Sequence, residues 1–386
     1  MMKVYLDHNA TTPIDPRVLE AMMPYLQEEF GNASSLHQWG RRARAALEDS
    51  RAKIASLLGA EKDSIIFTGG GTEADNLAIK GVVWANHEKG KHIITSAVEH
   101  HAVLHTCEWL AKQGFEVSFL PVDAKGGLDP EDLKKAIRPD TILITLMHAN
   151  NETGTIFPLK EFGQIARERK VYFHTDAIQS FCKIPLQVEE DQIDLLSLSA
   201  HKIYGPKGVG ALYIRKRTKM VATLHGGSQE RKRRPGTENV AGAVGFARAA
   251  ELLHADMEKE GTRLAALRDQ LQNGIRERIP HVQMNGDPEN RLPGALNMSF
   301  EFVEGESLIL SLDMEGIGVS SGSACTSGSL EPSHVLLSMG IPHEVCHGSL
   351  RFSLGRNNTK EQIDYVLEVL PKVVARMRAM SPLTKT

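Results

Sequence analysis

The feature that constrains the fold most is a regular alternation of short apolar runs with longer segments of helical spacing. The apolar runs predict strands at 64–67, 93–95, 115–120, 141–147, 171–173 and 194–198. Helices are predicted between them, because apolar residues recur there at helical spacing or because a capping residue precedes a proline, as Asp129 precedes Pro130. Alternation of this kind indicates an α/β fold with a mostly parallel sheet covered by helices on both faces.

Polar side chains cluster where successive predicted strands end. They are Asn150 and Asn151 after one strand, Asp176 and Gln179 after the next, and Ser199, His201 and Lys202 after the third. In open α/β sheets, ligands bind at the carboxyl ends of the strands. The clusters therefore predict a ligand site at one edge of the sheet.

Lys202 lies where the predicted strand 194–198 opens into a turn with glycine and proline. A lysine beside a turn is usually a solvated surface residue, and this interpretation stays open for Lys202 taken by itself. Partial burial at a strand end would instead lower the pKa of the amine and make it nucleophilic. Such a lysine in a ligand site is typical of enzymes that form a Schiff base.

A glycine-rich turn joins the predicted strand 64–67 to the following helix. Gly69, Gly71 and Ala74 fit the loose pattern G-x-G-x-x-A, and Thr72 adds a hydroxyl. Backbone amides at a helix N-terminus bind anions, which favours a compact phosphate site here. A dinucleotide site requires an acidic residue at the end of the next strand, where the chain has serine and alanine instead. A purely structural turn is the remaining interpretation.

Composition and charge narrow the class of partner. The 386 residues carry a formal net charge of −3, which indicates neither nucleic acid nor an anionic membrane surface as a partner. The N-terminal residues lack the apolar core of a secretion signal, and no apolar run is long enough to span a bilayer. We therefore expect a cytoplasmic protein with a small-molecule ligand.

The length of the chain indicates roughly two domains. We expect a large domain at 15–250 and a smaller α+β domain formed by 1–14 and 251–386. A long helix is predicted from 239 to 278 as the connection between them. Beyond it, strands are predicted at 296–300 and 350–354, and helices at 306–314 and 360–378.

The cysteines differ in their surroundings. Cys107, Cys182, Cys325 and Cys346 are widely spaced and form no C-x-x-C pair, which argues against a disulfide framework and against a cysteine zinc site. Cysteine usually behaves as a small buried hydrophobe, so Cys107 and Cys182 are expected to be structural. Cys325 lies in the serine- and glycine-rich segment 320–332, which favours a mobile loop with a functional thiol.

One motif favours a different chemistry. Residues 343–347, HEVCH, match the zinc-binding pattern H-E-x-x-H of metalloproteases. Such a site needs both histidines on one helix, and Gly348 with the apolar run after it leaves barely one helical turn. His101 and His105 share the same spacing, and a solvated or hydrogen-bonded pair is the simpler interpretation. No metal site is therefore predicted.

Further motifs extend along nearly the whole chain. In order they are YLDHNATTP, GNASSLH, GTEADNLAIKG, VEHHAVL, HANNETG, HTDAIQS, SAHKIYGPKG, RRPGTENV, GALNMSF, SSGSACTSGSLEPS and LRFSLGR. In this order they resemble the pyridoxal-phosphate-dependent cysteine desulfurases of the NifS/IscS type, which are class-V aminotransferases. The resemblance implies a fold-type I architecture, in which a large domain with a mostly parallel seven-stranded sheet is joined to a smaller α+β domain. It also implies a homodimer that converts L-cysteine to L-alanine and holds the sulfur as a persulfide.

The resemblance implies a role for each polar cluster around the cofactor. Lys202 resembles the lysine that binds pyridoxal phosphate as a Schiff base and moves the substrate's proton. Asp176 resembles the partner of the pyridine nitrogen, and Gln179 resembles a contact of the ring's phenolic oxygen. His100 resembles the residue that stacks on the ring and is a candidate acid or base.

Phosphate and substrate contacts are implied in the same way. The residues that resemble the family's phosphate contacts are Gly71, Thr72, Ser199 and His201. Thr237 resembles the residue that reaches the phosphate of the partner subunit. Asn151 resembles a cofactor contact and, together with Arg351, a contact of the substrate carboxylate. Cys325 resembles the nucleophile whose thiolate attacks the substrate sulfur.

A few positions depart from the family pattern. Gly69 and Gly71 stand where a serine and an alanine are more typical, and Ala33 stands where a proline is. The chain also stops soon after Ser381, where members that pass sulfur to a cluster scaffold are longer, so a specialised branch stays open.

Two other functions are alternatives. One is another pyridoxal-phosphate enzyme, such as a selenocysteine lyase or an aminotransferase, which would not need a cysteine on a mobile loop. The other is a sulfur-carrier docking scaffold without turnover. The sequence does not identify the sulfur acceptor, which we expect to be a scaffold or carrier protein for iron-sulfur cluster assembly or thiolation.

Overall fold

The structure, a computed structural model, describes residues 2–321 and 332–381. Its strands are β1 Val4–Tyr5, β2 Ile65–Thr68, β3 His92–Ser96, β4 Glu116–Leu120, β5 Thr141–Thr145, β6 Tyr172–Asp176, β7 Leu195–Ser199, β8 Gly210–Ile214, β9 Val282–Asn285, β10 Ala295–Phe300, β11 Ile317–Gly318 and β12 Ser349–Ser353. Its helices are α1 Pro16–Gln27, α2 Gln38–Leu57, α3 Gly71–Asn86, α4 His101–Lys112, α5 Pro130–Ala136, α6 Leu159–Arg169, α7 Gln229–Lys232, α8 Val240–Ala255, α9 Met257–Arg278, α10 Gly305–Met314, α11 His334–Ser338, α12 His343–His347 and α13 Lys360–Met380. No helix within these described ranges is long and apolar enough to cross a membrane.

A seven-stranded sheet forms the centre of the fold, in the order β2-β8-β7-β6-β5-β3-β4. The strands from β7 through β6, β5 and β3 to β4 pair in parallel, whereas β8 pairs antiparallel with β2 and β7. Apolar side chains of the sheet are buried in two clusters beneath helices. The prediction of an α/β fold with a mostly parallel, helix-covered sheet is confirmed.

Local sequence signals begin and end several helices. Asp15 accepts a hydrogen bond from the Arg17 backbone amide at the start of α1, and Pro16 occupies the first helical position. Gly59 follows α2 with a φ of 66°, a backbone conformation that favours glycine. The start of α1 and the end of α2 are therefore where the sequence predicts them.

The predicted helix from 239 to 278 is wrong in one respect, because the chain forms two helices there, α8 and α9. Asp256 lies between them with φ −103° and ψ 4° and interrupts the helical hydrogen bonding. Its carboxylate accepts a hydrogen bond of 3.0 Å from Arg356 Nη2. The Asp256 side chain makes no capping hydrogen bond to α9, and Arg356 binds it from a distant part of the sequence.

A second hydrophobic core surrounds the three-stranded antiparallel sheet β9-β10-β12. Apolar residues of α9, α10 and α13 belong to this core, as do Val4 and Leu6 from the start of the chain. β1 also pairs with β11 of the same region. This packing supports a small domain built from both ends of the chain, and the limits 1–14, 15–250 and 251–386 stay a prediction.

Candidate active site

A cavity of about 360 Å³ lies at the carboxyl ends of β5, β6 and β7, where α3 and α4 begin. Its lining includes the predicted site residues Gly71, Thr72, His100, Asn151, Asp176, Gln179, Ser199, His201, Lys202 and Arg351. Arg351 comes from β12 of the second core, so the cavity lies between the two cores. Polar clusters that are far apart in the sequence thus surround one space, which we call the front cavity.

Lys202 ends a short 3₁₀ turn, Ala200–Lys202, that directly follows β7. Its Nζ donates hydrogen bonds to the carbonyl oxygens of Asn9, at 2.5 Å, and of Ala10, at 2.8 Å. The side chain is partly buried. The two carbonyls hold the amine in the cavity wall, where an aldehyde bound in the cavity can reach it.

The phosphate-binding residues predicted by the resemblance lie at the start of α3 and the end of β7. A Cβ built on Gly71 would lie 3.6 Å from the Ser199 Cβ, so the helix N-terminus and the strand end are in contact. Ser199 Oγ is buried and has no hydrogen-bond partner among the described residues. A helix N-terminus and an unpartnered hydroxyl both offer donors to an anion. These residues therefore fit the phosphate of pyridoxal phosphate.

The structure explains why Gly71 departs from the family pattern. A Cβ at this position would lie 2.1 Å from Ile178 Cδ1. Ile178 follows β6 and lines the same cavity. The space that an alanine methyl group would take is filled by the Ile178 side chain, so the two residues share one volume beside the phosphate site.

Asp176 is the last residue of β6 and is 6% exposed. Its Oδ1 accepts a hydrogen bond of 2.9 Å from the Ile178 backbone amide. Burial raises the pKa of the carboxyl to about 6, while that hydrogen bond and the charge of Lys202 act in the opposite direction. A buried carboxylate in a cavity wall favours a cationic ligand atom. The protonated ring nitrogen of pyridoxal phosphate is such an atom, so Asp176 also fits the cofactor.

His100 caps α4, because its Nδ1 accepts a hydrogen bond of 3.1 Å from the Ala102 backbone amide. An accepting Nδ1 leaves the ring proton on Nε2. Burial, with a smaller contribution from the charge of Lys202, lowers the pKa of the imidazole to about 4. The ring is therefore neutral near pH 7, which suits a residue that stacks on an aromatic cofactor.

Arg351, from β12, faces the sheet edge and contacts Asn151, which lies in the loop after β5 at that edge. The Arg351 guanidinium donates hydrogen bonds to Asp7 Oδ1, at 2.8 Å, and to the Asn151 carbonyl oxygen, at 3.1 Å. The side chain is 2% exposed, and its Nε has no hydrogen-bond partner among the described residues. A guanidinium that is held in place and keeps a donor available is preorganised to bind a carboxylate.

The loop after β1 contributes to the site, and the sequence patterns did not predict its role. Gln179 Nε2 donates a hydrogen bond of 2.8 Å to the Asn9 carbonyl oxygen, the same oxygen that accepts from Lys202. A backbone carbonyl carries no residue-type signal, and only the motif YLDHNATTP, which contains Asn9, points to this loop. The contact of Gln179 with the phenolic oxygen of the cofactor stays a prediction.

Two predicted site residues are not part of this cavity as described. Thr237 is exposed between α7 and α8 and is not among the described residues that line the cavity. Cys325 lies outside the described residues.

Cys107 and Cys182 are buried, and burial raises the pKa of both thiols. A raised thiol pKa makes both poor nucleophiles, in agreement with the structural role expected for them.

The HEVCH motif forms α12, a helix of five residues. The ring centroids of His343 and His347 lie 4.6 Å apart. Across 2–321 and 332–381, no group of three or more His, Cys, Asp or Glu side chains is placed to hold a metal ion. In this part of the chain, the motif therefore lacks the third ligand of a protease zinc site.

The chain is similar in sequence to a known enzyme family and to named relatives. Residues 4–366 match the family aminotransferase class-V. The chain is 57% identical over 380 residues to cysteine desulfurase IscS of Dictyoglomus turgidum, in an alignment that covers 98% of this chain and 96% of that protein.

Solved structures show the same likeness. A structure described as a NifS-like protein superposes with a TM-score of 0.92 at 38% identity, covering 97% of this chain and all of the other. A structure of SspA in complex with cysteine gives a TM-score of 0.82 at 38% identity, over 91% of this chain and 99% of the other. Members of this family depend on pyridoxal phosphate, which the cavity residues fit. The chain belongs to the class-V aminotransferase family.

Proposed function

We propose that this protein is a pyridoxal-phosphate-dependent cysteine desulfurase, which converts L-cysteine to L-alanine and transfers the sulfur to an acceptor. The observation that carries the proposal is that one cavity combines the amine of Lys202, the buried carboxyl of Asp176 and the guanidinium of Arg351. A relative that is 57% identical is named cysteine desulfurase, and a structural neighbour is described in complex with cysteine.

The cofactor half of the site is formed by the sheet edge. When bound, pyridoxal phosphate supplies an electron sink for negative charge that develops at the substrate α-carbon. Asp176 would hold the proton of the ring nitrogen, which strengthens that sink. The start of α3 and Ser199 would bind the phosphate, together with Thr72 and His201. His100, which caps the start of α4 and is neutral near pH 7, would stack on the ring.

The substrate half of the site combines groups from both cores. Arg351 and Asn151 would hold the carboxylate of L-cysteine and so orient its α-carbon. Lys202 would take the proton from the α-carbon on Nζ and return it at a later step.

The sulfur step requires a thiolate, and we assign it to Cys325. The thiolate forms an S–S bond with the substrate sulfur while the substrate Cβ–S bond breaks. The electron pair of that bond passes to the carbon, which then takes a proton and becomes the methyl group of alanine. The persulfide on Cys325 is thus one sulfur richer than the thiol, and the reaction needs no external oxidant.

A homodimer is part of the proposal. Thr237 is exposed on this chain, which leaves it accessible for the phosphate of a partner subunit. Phe30, Leu36 and Trp39 are 73%, 90% and 52% exposed, and apolar exposure of this size supports a subunit interface. The acceptor would be a scaffold or carrier protein of iron-sulfur cluster assembly or thiolation, and the persulfide must leave the cavity to reach it.

The test measures alanine and sulfide released from L-cysteine in the presence of a reductant. The full chain, loaded with pyridoxal phosphate, is compared with Cys325→Ala and with Cys107→Ala as the matched control. We expect alanine from the wild type and from Cys107→Ala, and none from Cys325→Ala. Equal turnover of all three would contradict the desulfurase mechanism and favour a selenocysteine lyase or an aminotransferase.

A further inference from the structure

Three consecutive residues of α7, Glu230, Arg231 and Lys232, have positive φ angles of 42°, 57° and 64°. This left-handed conformation is costly for a residue with a side chain, because the Cβ atom approaches the following carbonyl oxygen. Single residues of this kind occur in turns, but a run of three persists only where the surrounding structure holds it. The chemistry above gives no role to this segment, which we call the left-handed turn.

A buried ion pair holds the first residue of the left-handed turn. The two carboxylate oxygens of Glu230 accept hydrogen bonds of 2.7 Å each from the Arg51 guanidinium of α2. Glu230 Oε2 also accepts a hydrogen bond of 2.8 Å from the Phe67 backbone amide. The side chains of Arg51 and Glu230 are 1% and 3% exposed. Because the pair is bidentate and buried, Glu230 cannot turn outward without leaving the Arg51 charge buried alone.

Two further contacts fix the chain between the left-handed turn and Thr237. Arg234 Nε donates a hydrogen bond of 2.7 Å to Glu73 Oε1 in the first turn of α3. The Gly236 backbone amide donates a hydrogen bond of 3.1 Å to Gln229 Oε1. Thr237 follows directly and is exposed. The direction in which the chain leaves the left-handed turn therefore sets where Thr237 is presented at the surface.

Stability alone does not account for this arrangement. The left-handed turn costs free energy, and so does the removal of two charged groups from water. Apolar side chains of similar volume would fill the space of Arg51 and Glu230 without the second cost. A requirement for one particular course of the chain accounts for both costs, and the exposed residue to which this course leads is Thr237.

We propose that Arg51 and Glu230 are positioning residues for Thr237: their ion pair holds the left-handed turn, which directs Thr237 to the cofactor phosphate in the partner subunit. This role rests on the proposed function, in which the protein is a homodimer and Thr237 makes that contact. Glu230 of one chain then acts on the site of the other chain. A residue that only stabilised its own chain would act on its own site.

The test uses mixed dimers of two full-length chains, which are purified through two different affinity tags. One chain carries Lys202→Ala, so only the other chain can bind pyridoxal phosphate covalently. Glu230→Gln is placed either in the Lys202→Ala chain, which is the opposite-chain arrangement, or in the chain that keeps Lys202, which is the same-chain arrangement. The fraction of Lys202 that holds the cofactor is fixed with borohydride and quantified by mass spectrometry over a range of pyridoxal phosphate concentrations.

In the opposite-chain arrangement, we expect Glu230→Gln to raise the dissociation constant for pyridoxal phosphate roughly tenfold, the size of one lost hydrogen bond to a charged group. In the same-chain arrangement the constant should equal that of the dimer with Lys202→Ala alone, because Thr237 then comes from a chain with an intact turn. Asp140→Asn is the control, since it breaks an ion pair with Arg138 just before β5 and should change neither arrangement.

An effect of equal or larger size in the same-chain arrangement would mean that the ion pair supports the phosphate site of its own chain, which overturns the proposed role. Unchanged binding in both arrangements overturns it as well. If Glu230→Gln does not fold, Arg51→Met combined with Glu230→Met removes the pair without leaving a buried charge alone, and the same two arrangements decide. Because only cofactor binding is measured, an absence of turnover does not affect the result.

Thr237→Ala in the same two arrangements separates this role from the function proposed above. If Thr237→Ala weakens cofactor binding in the opposite-chain arrangement and Glu230→Gln does not, the contact between subunits is right and the role of the ion pair is wrong. If Thr237→Ala changes neither arrangement, the contact itself is wrong, and the role of the ion pair is wrong with it. If Lys202 of the wild type holds no cofactor, both the proposed function and this role are contradicted.

Discussion

The two walls of the front cavity differ in how far their polar groups are satisfied within the protein. On the sheet side, Ser199 Oγ has no partner among the described residues, and Asp176 is buried with a raised pKa. On the side of the second core, Arg351 is held by Asp7 and by a backbone carbonyl, and only its Nε has no partner among the described residues. A buried hydroxyl without a partner and a carboxyl whose charged form is disfavoured by burial both cost free energy, so the sheet side gains more from a bound ligand than the opposite side does.

This difference matches the two kinds of ligand in the proposed reaction. A cofactor stays bound through many turnovers, and binding groups that are left unsatisfied without it favour tight binding. A substrate has to enter and leave, and a guanidinium held in place by the protein can bind it without a large gain or loss in stability. The comparison predicts that changes on the sheet side alter cofactor binding and stability, whereas changes at Arg351 alter substrate affinity.

The largest effect is expected at Lys202, which lies on the sheet side. Lys202→Ala removes the amine that we propose would hold the cofactor and move the substrate proton, so turnover should fall by about 10³-fold or more. Absorbance after loading and gel filtration should show no covalently held chromophore. Lys216→Ala, at an exposed lysine, should match the wild type in both measurements. A chromophore of normal intensity in Lys202→Ala would break the assignment of the cofactor to this wall.

Asp176 gives a prediction about pH. Its pKa is raised from 3.8 to about 6, so the stability it contributes in its protonated form is present at low pH and is lost as pH rises through 6. Without cofactor, Asp176→Asn should therefore gain stability relative to the wild type between pH 4 and pH 7. The gain should be about 3 kcal/mol, because each pH unit between the folded and unfolded pKa values corresponds to about 1.4 kcal/mol. Denaturant unfolding at several pH values measures this difference.

The cofactor should reverse that result. We propose that Asp176 would pair with the ring nitrogen, so loading should stabilise the wild type at pH 7 more than Asp176→Asn, and kcat should fall by roughly 10²-fold in the variant. Parallel pH curves for the two proteins without cofactor would show that burial does not disfavour the charged carboxyl. The sheet side would then lack the buried, destabilised carboxyl that distinguishes it from the opposite wall.

Arg351 tests the other wall. Arg351→Lys keeps the charge but loses the planar donors, so KM for L-cysteine should rise by about 10- to 100-fold with a smaller change in kcat. Arg356→Lys is the matched control, because Arg356 pairs with Asp15 and Asp256 and should affect unfolding temperature rather than KM. If Arg351→Lys weakened cofactor binding and left KM unchanged, the division of roles between the walls would be wrong.

Much of the fold follows from the sequence, because strand and helix periods and capping residues are local signals. The strands of the parallel sheet and the start of α1 at Asp15 and Pro16 belong to this class. At the break between α8 and α9, Asp256 is bound by Arg356, which is distant in sequence, whereas the local pattern predicts one continuous helix. A contact between distant segments carries no periodic signal.

The candidate site also has a part that the sequence predicts and a part that it does not. Side chains such as Asp176 and Lys202 stand directly after predicted strands, so their positions at one sheet edge follow from the fold. The Asn9 carbonyl that binds Lys202 is a backbone group. It has no pattern by which the sequence reveals it, because its role depends on how the loop after β1 packs against the sheet edge.

The smallest effect is expected at Gly71, where the sheet side meets the phosphate. Gly71→Ala places a methyl group against Ile178 Cδ1, and the flexible end of that side chain has to move into the cavity. We expect the dissociation constant for pyridoxal phosphate to rise a few-fold, by roughly 1 kcal/mol or less in binding free energy. Gly261→Ala in α9 is the control, since its Cβ would meet only Pro293 Cγ at 3.6 Å.

The double variant Gly71→Ala with Ile178→Val sharpens this prediction. Shortening Ile178 removes the Cδ1 atom that the new methyl group meets, so the affinity for pyridoxal phosphate should return toward that of the wild type. Isothermal titration of the cofactor-free proteins compares all four combinations in a double-mutant cycle. If the two changes weaken binding additively, then Gly71 and Ile178 do not share one volume. The glycine would then be required for a reason other than packing beside the phosphate.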